Sequence, residues 1–263
     1  MTQIFLFDVD GTLTPPGQKM RDSFAEFFGP FVQQHIVFLI SGSDYSKIER
    51  QVPSDILTRC YGVFGCSGAE YLEQGQTIYR NEHQFDAGLV ADIERFIEQS
   101  SYGVRCGHHV DRRPGMLNVS VVGRNADLQQ RAAYFEWDSH VGERLGFVEF
   151  LKRNHPGYEA FCGGEISIDI VPRGWNKSVA KRAVLEKFPD AEIVFFGDRM
   201  GPKGNDSPLA DVLDTPSRRH RAIAVEDYTD TWVHLQHFPA QKAEVHAHTQ
   251  FELRPSSPPT ILH

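Results

Sequence analysis

Short, uninterrupted apolar runs separated by helical segments constrain this chain more than any other feature of its sequence. The clearest runs are residues 4–7, 36–40 and 193–196, and residues 61–64 and 222–225 have a similar pattern. Runs of four or five residues that are apolar on both faces are typical of buried parallel strands. Strands that alternate with helices predict an α/β fold with a doubly wound parallel sheet.

Between these runs, the apolar residues recur with the spacing of a helix. This spacing predicts helices at residues 20–28, 178–187 and 230–237. Another helix is expected to start at Ser43, which would be its N-cap, with Asp44 in the first turn.

The middle of the chain has a different pattern. Residues 89–98 and 139–153 have helical spacing, whereas residues 116–122 and 166–171 alternate as half-buried strands do. This predicts an α+β cap domain with an antiparallel sheet at residues 83–174. The cap is then inserted into a core made of residues 1–82 and 175–263, with residues 254–259 as a loose tail.

Charge and hydropathy exclude several classes of protein. Lys and Arg number 27 against 35 Asp and Glu, a formal net charge of −8. A general nucleic-acid binder needs a basic surface to neutralise phosphates. The apolar runs are far shorter than the roughly 20 residues of a membrane-spanning helix. Because the first strand has no charged leader before it, we expect a cytoplasmic protein without nucleic-acid or membrane partners.

Two aspartates separated by one residue directly follow the first predicted strand. The segment reads Asp8-Val-Asp10-Gly-Thr-Leu-Thr14. In open α/β sheets, ligands bind beyond the carboxyl ends of the strands. One carboxylate can attack phosphorus while the other donates and accepts the proton. A turn that only ends the strand is the alternative, because Asp and Gly favour turns.

Three further segments complete a pattern that resembles the haloacid-dehalogenase-like (HAD) phosphotransferase superfamily. They are Ser41-Gly-Ser-Asp44 after the second strand, Asn176-Lys177 before a helix, and Gly197-Asp198 with Gly204-Asn-Asp206 after a later strand. The resemblance implies that Ser41 and Gly42 bind the transferring phosphoryl group. It also implies that Lys177 steadies both the nucleophile Asp8 and the phosphate.

The same resemblance implies a bound Mg²⁺. Its expected ligands are the side chains of Asp8, Asp198 and Asp206 and the backbone carbonyl of Asp10. Oxygen ligands suit a hard divalent cation. The cation would offset the repulsion between an anionic nucleophile and an anionic phosphate.

The cap segments resemble those of eukaryotic-type phosphomannomutases. They are Arg113-Pro-Gly-Met-Leu-Asn118, Gly123-Arg124, Arg131, Gly163-Gly-Glu-Ile-Ser-Ile-Asp169 and Pro172-Arg-Gly-Trp-Asn-Lys177. By this resemblance Arg113, Arg124 and Arg131 bind the distal phosphate of a hexose phosphate, and Ser167 and Asp169 bind sugar hydroxyls. Arginine offers a planar fork of donors that suits phosphate. The family also dimerises through its caps, so a homodimer is expected.

Four positions depart from that family. Gly17 stands where the family has Arg, Ser41 where it has Gly, residues 66–68 replace Glu-Asn-Gly, and Lys203 replaces a glycine. None of these removes the nucleophile, the acid/base residue, the lysine or the metal aspartate. Gly17 and Ser41 favour hydrolysis over mutase chemistry.

We therefore expect Mg²⁺-dependent phosphoryl transfer on hexose phosphates through a phosphoaspartate. The favoured reaction resembles that of phosphomannomutase, the interconversion of mannose 1-phosphate and mannose 6-phosphate. A HAD sugar-phosphate phosphatase on the same scaffold is the first alternative. A catalytically silent sugar-phosphate-binding protein is the second.

Overall fold

A seven-stranded sheet forms the core of the computed structural model, which describes residues 2–215 and 219–238. Its strands are β1 (Gln3–Phe7), β2 (Ile36–Ile40), β3 (Gly62–Gly65), β4 (Glu70–Glu73), β5 (Gln76–Arg80), β10 (Glu192–Gly197) and β11 (Arg221–Ala224). The strand order is β11-β10-β1-β2-β3-β4-β5. The first five strands in this order pair in parallel, and β4 and β5 add an antiparallel edge.

Helices cover both faces of this sheet. They are α1 (Asp22–Gln34), α2 (Tyr45–Gln51), α3 (Ser54–Leu57), α7 (Val179–Lys187), α8 (Ser207–Leu213) and α9 (Tyr228–Leu235). Successive strand residues point to opposite faces. In β1, Phe5 and Phe7 accordingly pack with α1, and Ile4 and Leu6 belong to a second apolar cluster that includes Val184 of α7. This confirms the predicted doubly wound α/β core.

A separate antiparallel sheet of four strands forms the cap. Its strands are β6 (Val110–Arg113), β7 (Met116–Val119), β8 (Tyr158–Gly163) and β9 (Ser167–Pro172), in the order β6-β7-β9-β8. The cap helices are α4 (Ala87–Gln99), α5 (Leu128–Val141) and α6 (Glu143–Asn154). Leu89 and Ile93 of α4, Phe147 of α6, and Leu117 and Ile168 of the sheet belong to one buried cluster. We propose that the cap domain extends from residue 83 to residue 174.

Two local predictions were wrong. The single helix predicted at residues 139–153 is two helices, α5 and α6, because Gly142 adopts φ 71 and ends the first of them. A left-handed residue at this position is a common helix end and suits glycine. The N-cap of α2 is Asp44 rather than Ser43, since the Asp44 side chain accepts from the backbone N–H of Lys47 at 2.9 Å.

Two further expectations concern membrane-spanning helices and the tail of the chain. No helix within residues 2–215 and 219–238 is long and apolar enough to cross a membrane. The tail predicted at residues 254–259 lies outside the described residues.

Candidate active site

The carboxyl ends of three neighbouring strands bring the predicted core residues together. β1 pairs with β10 on one side and with β2 on the other, in parallel. Asp8 follows β1, Ser41 follows β2, and Asp198 follows β10, so all three emerge at the same edge. They line one cavity. Because the sheet order changes direction at β1, this is the switch point where ligands of open α/β sheets bind.

Asp8 shares a buried ammonium group with Asp206. Lys177 Nζ lies 2.5 Å from Asp8 Oδ1 and 2.6 Å from Asp206 Oδ1, and the Lys177 side chain is fully buried. Burial lowers the pKa of Lys177, but the two carboxylates outweigh burial and raise it above its ordinary value. Burial raises the pKa of Asp8, although Lys177 acts in the opposite direction. Lys177 therefore stays charged beside the proposed nucleophile.

Three carboxylates form an acidic cluster at this point. One oxygen from each of Asp8, Asp198 and Asp206 lies within 4.8 Å of the others. Burial, and then the nearby Asp206, raise the pKa of Asp198 to about 7. Besides Lys177, Arg199 pairs with the cluster, with Nε 3.0 Å from Asp198 Oδ2. Three carboxylates against two cations leave a net negative charge and oxygen donors, which fits a divalent cation such as Mg²⁺.

The Asp10 carboxylate has a different set of partners from this cluster. Lys47 Nζ lies 2.7 Å from its Oδ2. Burial raises the pKa of Asp10, but Lys47 together with hydrogen bonds from Gln51 and the Gly17 N–H outweighs burial and holds that pKa well below its ordinary value. Asp10 is therefore ionised in this state. Its predicted metal contact is the backbone carbonyl, so the carboxylate is not among the expected metal ligands.

The loop after β2 is held by backbone hydrogen bonds on both sides. Ser41 N donates to Phe64 O at 2.9 Å, and Ser41 Oγ accepts from Ser43 N at 3.1 Å. The backbone N–H groups of Cys66 and Ser67 donate to Ser43 O and Ser41 O at 2.9 and 2.8 Å. Segment 66–68 thus supports the loop after β2 through its backbone. Burial raises the pKa of the Cys66 thiol, so that thiol is a poor nucleophile.

All three predicted cap arginines line the cavity. Arg113 Nη1 donates to the core carbonyl Gly42 O at 2.8 Å. One oxygen of Asp111, Oδ2, accepts from both Arg113 Nη2 at 3.1 Å and Arg124 Nε at 3.0 Å. Arg131 Nε lies 3.6 Å from Glu165 Oε2. The cap therefore brings three guanidinium groups to the cavity, as an anion-binding surface requires.

The two predicted sugar-binding residues also line the cavity, and one of them touches the core. Asp169 Oδ1 accepts from Asn118 Nδ2 at 2.6 Å, and Asp169 Oδ2 accepts from the core residue Asn205 at 3.2 Å. Ser167 Oγ donates to Gly163 O at 2.9 Å. The predicted cap residues thus line one cavity with Asp8, Asp10, Ser41, Gly42 and Asp198. The side chains of Lys177 and Asp206 are buried beside Asp8 and do not line it.

Sequence reasoning missed several residues of this site: Ser43, Lys47, Gln51, Asp111, Asn118 and Asn205. One signal was present for the first three, because their spacing of four places them on one side of a helix. Asn118 was detectable as a polar residue in an otherwise apolar strand, and it pairs in register with Asp169. Asn205 lies within the segment Gly204-Asn-Asp206 that carried the resemblance, whereas Asp111 gave no such signal.

The structure shows the surroundings of two positions, Gly17 and Lys203, at which the sequence departs from the resembled family. Gly17 adopts φ 70, and a Cβ added to it would lie 3.8 Å from Arg131 Nη2. Gly17 therefore places no side chain beside the cavity residue Arg131. Lys203 adopts φ 67, its carbonyl accepts from Cys162 N at 2.9 Å, and its Nζ lies 2.7 Å from Glu149. Lys203 therefore joins a core loop to the cap.

Comparison with solved structures agrees with this architecture. A HAD subclass IIB sugar phosphatase superposes with a TM-score of 0.59, at 14% identity, over 90% of this chain and 98% of that protein. At this identity the likeness concerns the fold. The fold, with an aspartate, a lysine and an acidic cluster at the switch point, defines a HAD-type phosphotransferase.

Sequence comparison narrows this class to one family. The model of the eukaryotic phosphomannomutase family matches residues 24–237. A phosphomannomutase of Galdieria sulphuraria is 35% identical over 230 residues, 84% of this chain and 90% of that protein. Phosphomannomutase 1 of Mus musculus is 34% identical over 232 residues, 84% of this chain and 87% of that protein. The chain belongs to the eukaryotic phosphomannomutase family.

Proposed function

We propose that this protein interconverts mannose 1-phosphate and mannose 6-phosphate by Mg²⁺-dependent phosphoryl transfer through a phosphoaspartate on Asp8. One observation carries the proposal. Asp8 is buried at the end of β1, 2.5 Å from Lys177, in a cavity that three cap arginines also line. The nucleophile and the arginines thus face one cavity, as the two phosphates of a hexose bisphosphate require. Membership of the phosphomannomutase family supports the choice of substrate.

The acidic cluster supports the proposed cofactor. Asp8, Asp198, Asp206 and the backbone carbonyl of Asp10 are the groups that would hold Mg²⁺. The bound cation would offset the repulsion between the Asp8 carboxylate and the incoming phosphate.

Asp8 is proposed to attack the transferring phosphate, and its neighbours to bind the phosphoryl oxygens. Since Asp8 Oδ1 is bound by Lys177, we assign the attack on phosphorus to Oδ2. The Ser41 hydroxyl, the backbone around Gly42 and the Lys177 ammonium would bind the phosphoryl oxygens. Fixed donors at the developing charge stabilise such a transition state. Lys177 thus serves both the nucleophile and the phosphate.

Asp10 carries the proton. When a sugar hydroxyl attacks the phosphoaspartate, a new oxygen–phosphorus bond forms and the bond to Asp8 breaks. The hydroxyl proton passes to the ionised Asp10. In the opposite transfer, Asp10 returns the proton to the sugar oxygen that leaves phosphorus. Asp10 is ionised before the first of these steps, as a group that accepts a proton must be.

The cap would bind the rest of the substrate. Arg113, Arg124 and Arg131 are proposed to bind the phosphate that is not transferred, and Ser167 and Asp169 the sugar hydroxyls. A bisphosphate that turns over can present either phosphate to Asp8. Contacts from Arg113 to Gly42 and from Asn205 to Asp169 join cap and core, so a closed cap can exclude water.

The Asp8→Asn variant tests the proposal. Purified protein is incubated with mannose 1-phosphate, Mg²⁺ and a hexose bisphosphate activator, and mannose 6-phosphate and inorganic phosphate are measured. We expect the wild type to form mannose 6-phosphate and the variant to form none. The matched control is Asp211→Asn, at an exposed position of α8. Full turnover by Asp8→Asn would refute the phosphoaspartate.

Hydrolysis is the second candidate function, and Gly17 favours it. The arginine missing beside Arg131 removes a cation that could hold a bisphosphate, so water could resolve the phosphoenzyme. In the same assay, inorganic phosphate without mannose 6-phosphate would decide for a phosphatase. The intact Asp8, Asp10, Lys177 and Asp198 argue against a silent binding protein, as would trapping of beryllium fluoride on Asp8.

A homodimer through the cap and a cytoplasmic location complete the proposal. Cap helices α5 and α6 expose several apolar side chains: Leu128, Phe135, Val141 and Leu145. Analytical ultracentrifugation of wild type and Val141→Asp tests this surface. A monomeric wild type would exclude the dimer.

A further inference from the structure

Four hydrogen-bond donors hold the carboxylate of Asp10, two on each oxygen. Oδ1 accepts from Gly17 N at 2.7 Å and from Gln51 Nε2 at 2.8 Å. Oδ2 accepts from Lys47 Nζ at 2.7 Å and from Ser43 Oγ at 3.1 Å. The orientation of the proposed acid/base group is therefore fixed by its surroundings and is independent of Lys177.

Three of these four donors come from one side of α2 and the residue just before its N-cap. Ser43, Lys47 and Gln51 are spaced by four residues, which places them in one row along a helix. The start of the helix is itself anchored. Asp44 caps it, and Tyr45 N donates to the buried Glu70 at 3.1 Å. Lys47 and Gln51 thus contact Asp10 from a helix whose first turn is fixed in place, and Ser43 from just before it.

Lys47 differs from the other three donors. It is the one charged group among them, and hydrogen bonds between charged groups are roughly twice as strong as neutral ones. Its Nζ also donates to Ser43 Oγ at 2.9 Å, so it organises both contacts to Oδ2. Gln51 is held by further bonds to Gln18 O and Thr14 Oγ1. Removing Lys47 would therefore leave Ser43 Oγ as the remaining donor to Oδ2, while Oδ1 keeps both of its donors.

We infer that Lys47 is the positioning residue for Asp10, orienting the carboxylate that exchanges a proton with the sugar oxygen. The inference rests on the proposed function. Each aspartate of the Asp8–Asp10 pair then has its own lysine: Lys177 supports the nucleophile and Lys47 the proton carrier. Neither lysine substitutes for the other, since the two contact different carboxylates.

Lys47 has one competing role, because it also lines the cavity. There it could bind a substrate phosphate directly. The two roles predict different kinetics. A phosphate ligand mainly affects KM, whereas a residue that orients Asp10 mainly affects kcat.

The test is the Lys47→Met variant with mannose 1-phosphate, Mg²⁺ and a hexose bisphosphate. We expect kcat to fall about 100-fold, at the lower end of what general acid–base catalysis supplies, with KM within about threefold. Lys47→Arg keeps the charge and should recover part of kcat. Lys152→Met, at an exposed position of α6, should match the wild type. Circular dichroism and thermal unfolding verify that each variant is folded.

A double-mutant cycle identifies the group through which Lys47 acts. If Lys47 acts through Asp10, then Asp10→Asn with Lys47→Met should be no slower than Asp10→Asn alone. Multiplying effects, or a KM that rises at constant kcat, would overturn the inference in favour of direct phosphate binding.

A leaving group that needs no proton gives a second readout. para-Nitrophenolate leaves unprotonated, so the burst in which para-nitrophenyl phosphate phosphorylates Asp8 should keep its rate within about threefold in Lys47→Met. A burst that slows as much as mannose 1-phosphate turnover would overturn the inference. A wild type that turns over neither substrate would refute the proposed function itself. An active wild type with a fully active Lys47→Met would refute only the role of Lys47.

Discussion

Asp198 offers a test of the acidic cluster that needs no substrate. Its side chain is 10% exposed, and burial followed by the nearby Asp206 raises its pKa from 3.8 to about 7. A pKa difference of about three corresponds to about 4 kcal/mol. The ionised cluster should therefore destabilise the metal-free protein. Replacing Asp198 by Asn removes the charge and keeps the shape.

The direction of the pH effect follows from proton binding. Between about pH 4 and pH 7 the folded chain holds a proton on Asp198 that the unfolded chain has released. Its contribution to the free energy of unfolding therefore falls as the pH rises through this range. Asp198→Asn lacks this fall. At pH 8 without metal, the variant should be more stable than the wild type by up to about 4 kcal/mol, and at pH 4 the two should nearly coincide.

Urea unfolding followed by circular dichroism measures this difference at several pH values in the presence of a chelator. Asp211→Asn, at an exposed position, is the control and should follow the wild type. With Mg²⁺ at 100 times its Kd, the wild type should gain about 2.7 kcal/mol at pH 8 and the variant much less. A variant whose stability falls in parallel with the wild type from pH 4 to 7 would refute the assigned cause.

Four other substitutions have defined outcomes. Lys177→Met leaves two buried carboxylates without their ammonium and should cost about 3–5 kcal/mol of unfolding free energy in a urea titration. Gly11→Ala places a Cβ 2.5 Å from Asp198 Oδ2 at φ 90, so Mg²⁺-dependent thermal stabilisation should be lost. Arg144→Met breaks a pair with Asp138 whose side chains are each 6% exposed and should cost about 3 kcal/mol. Arg59→Met, in an exposed pair, should cost under about 1 kcal/mol by the same titration.

The parallel strands were the part of the fold most open to prediction. They are buried on both faces, so their sequences are continuous apolar runs, as β2 shows. The edge strand β5 (Gln76–Arg80) was missed because its side chains are mostly exposed and carry no apolar pattern. Helix α5 was missed over most of its length because only Tyr134 and Asp138 in it are buried. Its sequence thus lacks the apolar stripe that marks an amphipathic helix.

The residues of the candidate site likewise fall into those that the sequence could predict and those that it could not. Asp8, Lys177 and Asp198 stand next to strand or helix ends, so a sequence pattern could place them at one edge of the sheet. The partners of Asp10 could not be found in this way. Lys47 and Gln51 lie 37 and 41 residues from it along the chain, and only the packing of α2 against the turn after β1 brings them into contact.

The core loop that carries Asp206 is tied to the cap through Lys203 and Asn205. Lys203 contacts Glu149 and the Cys162 N–H, and Asn205 contacts Asp169. If the proposed Mg²⁺ binds Asp206 and the proposed substrate binds Asp169, both ligands act on the same set of contacts. Thermodynamic reciprocity then requires that each changes the affinity for the other by an equal factor. Through Lys203 and Asn205, the proposed metal site in the core and the proposed sugar site in the cap would be coupled.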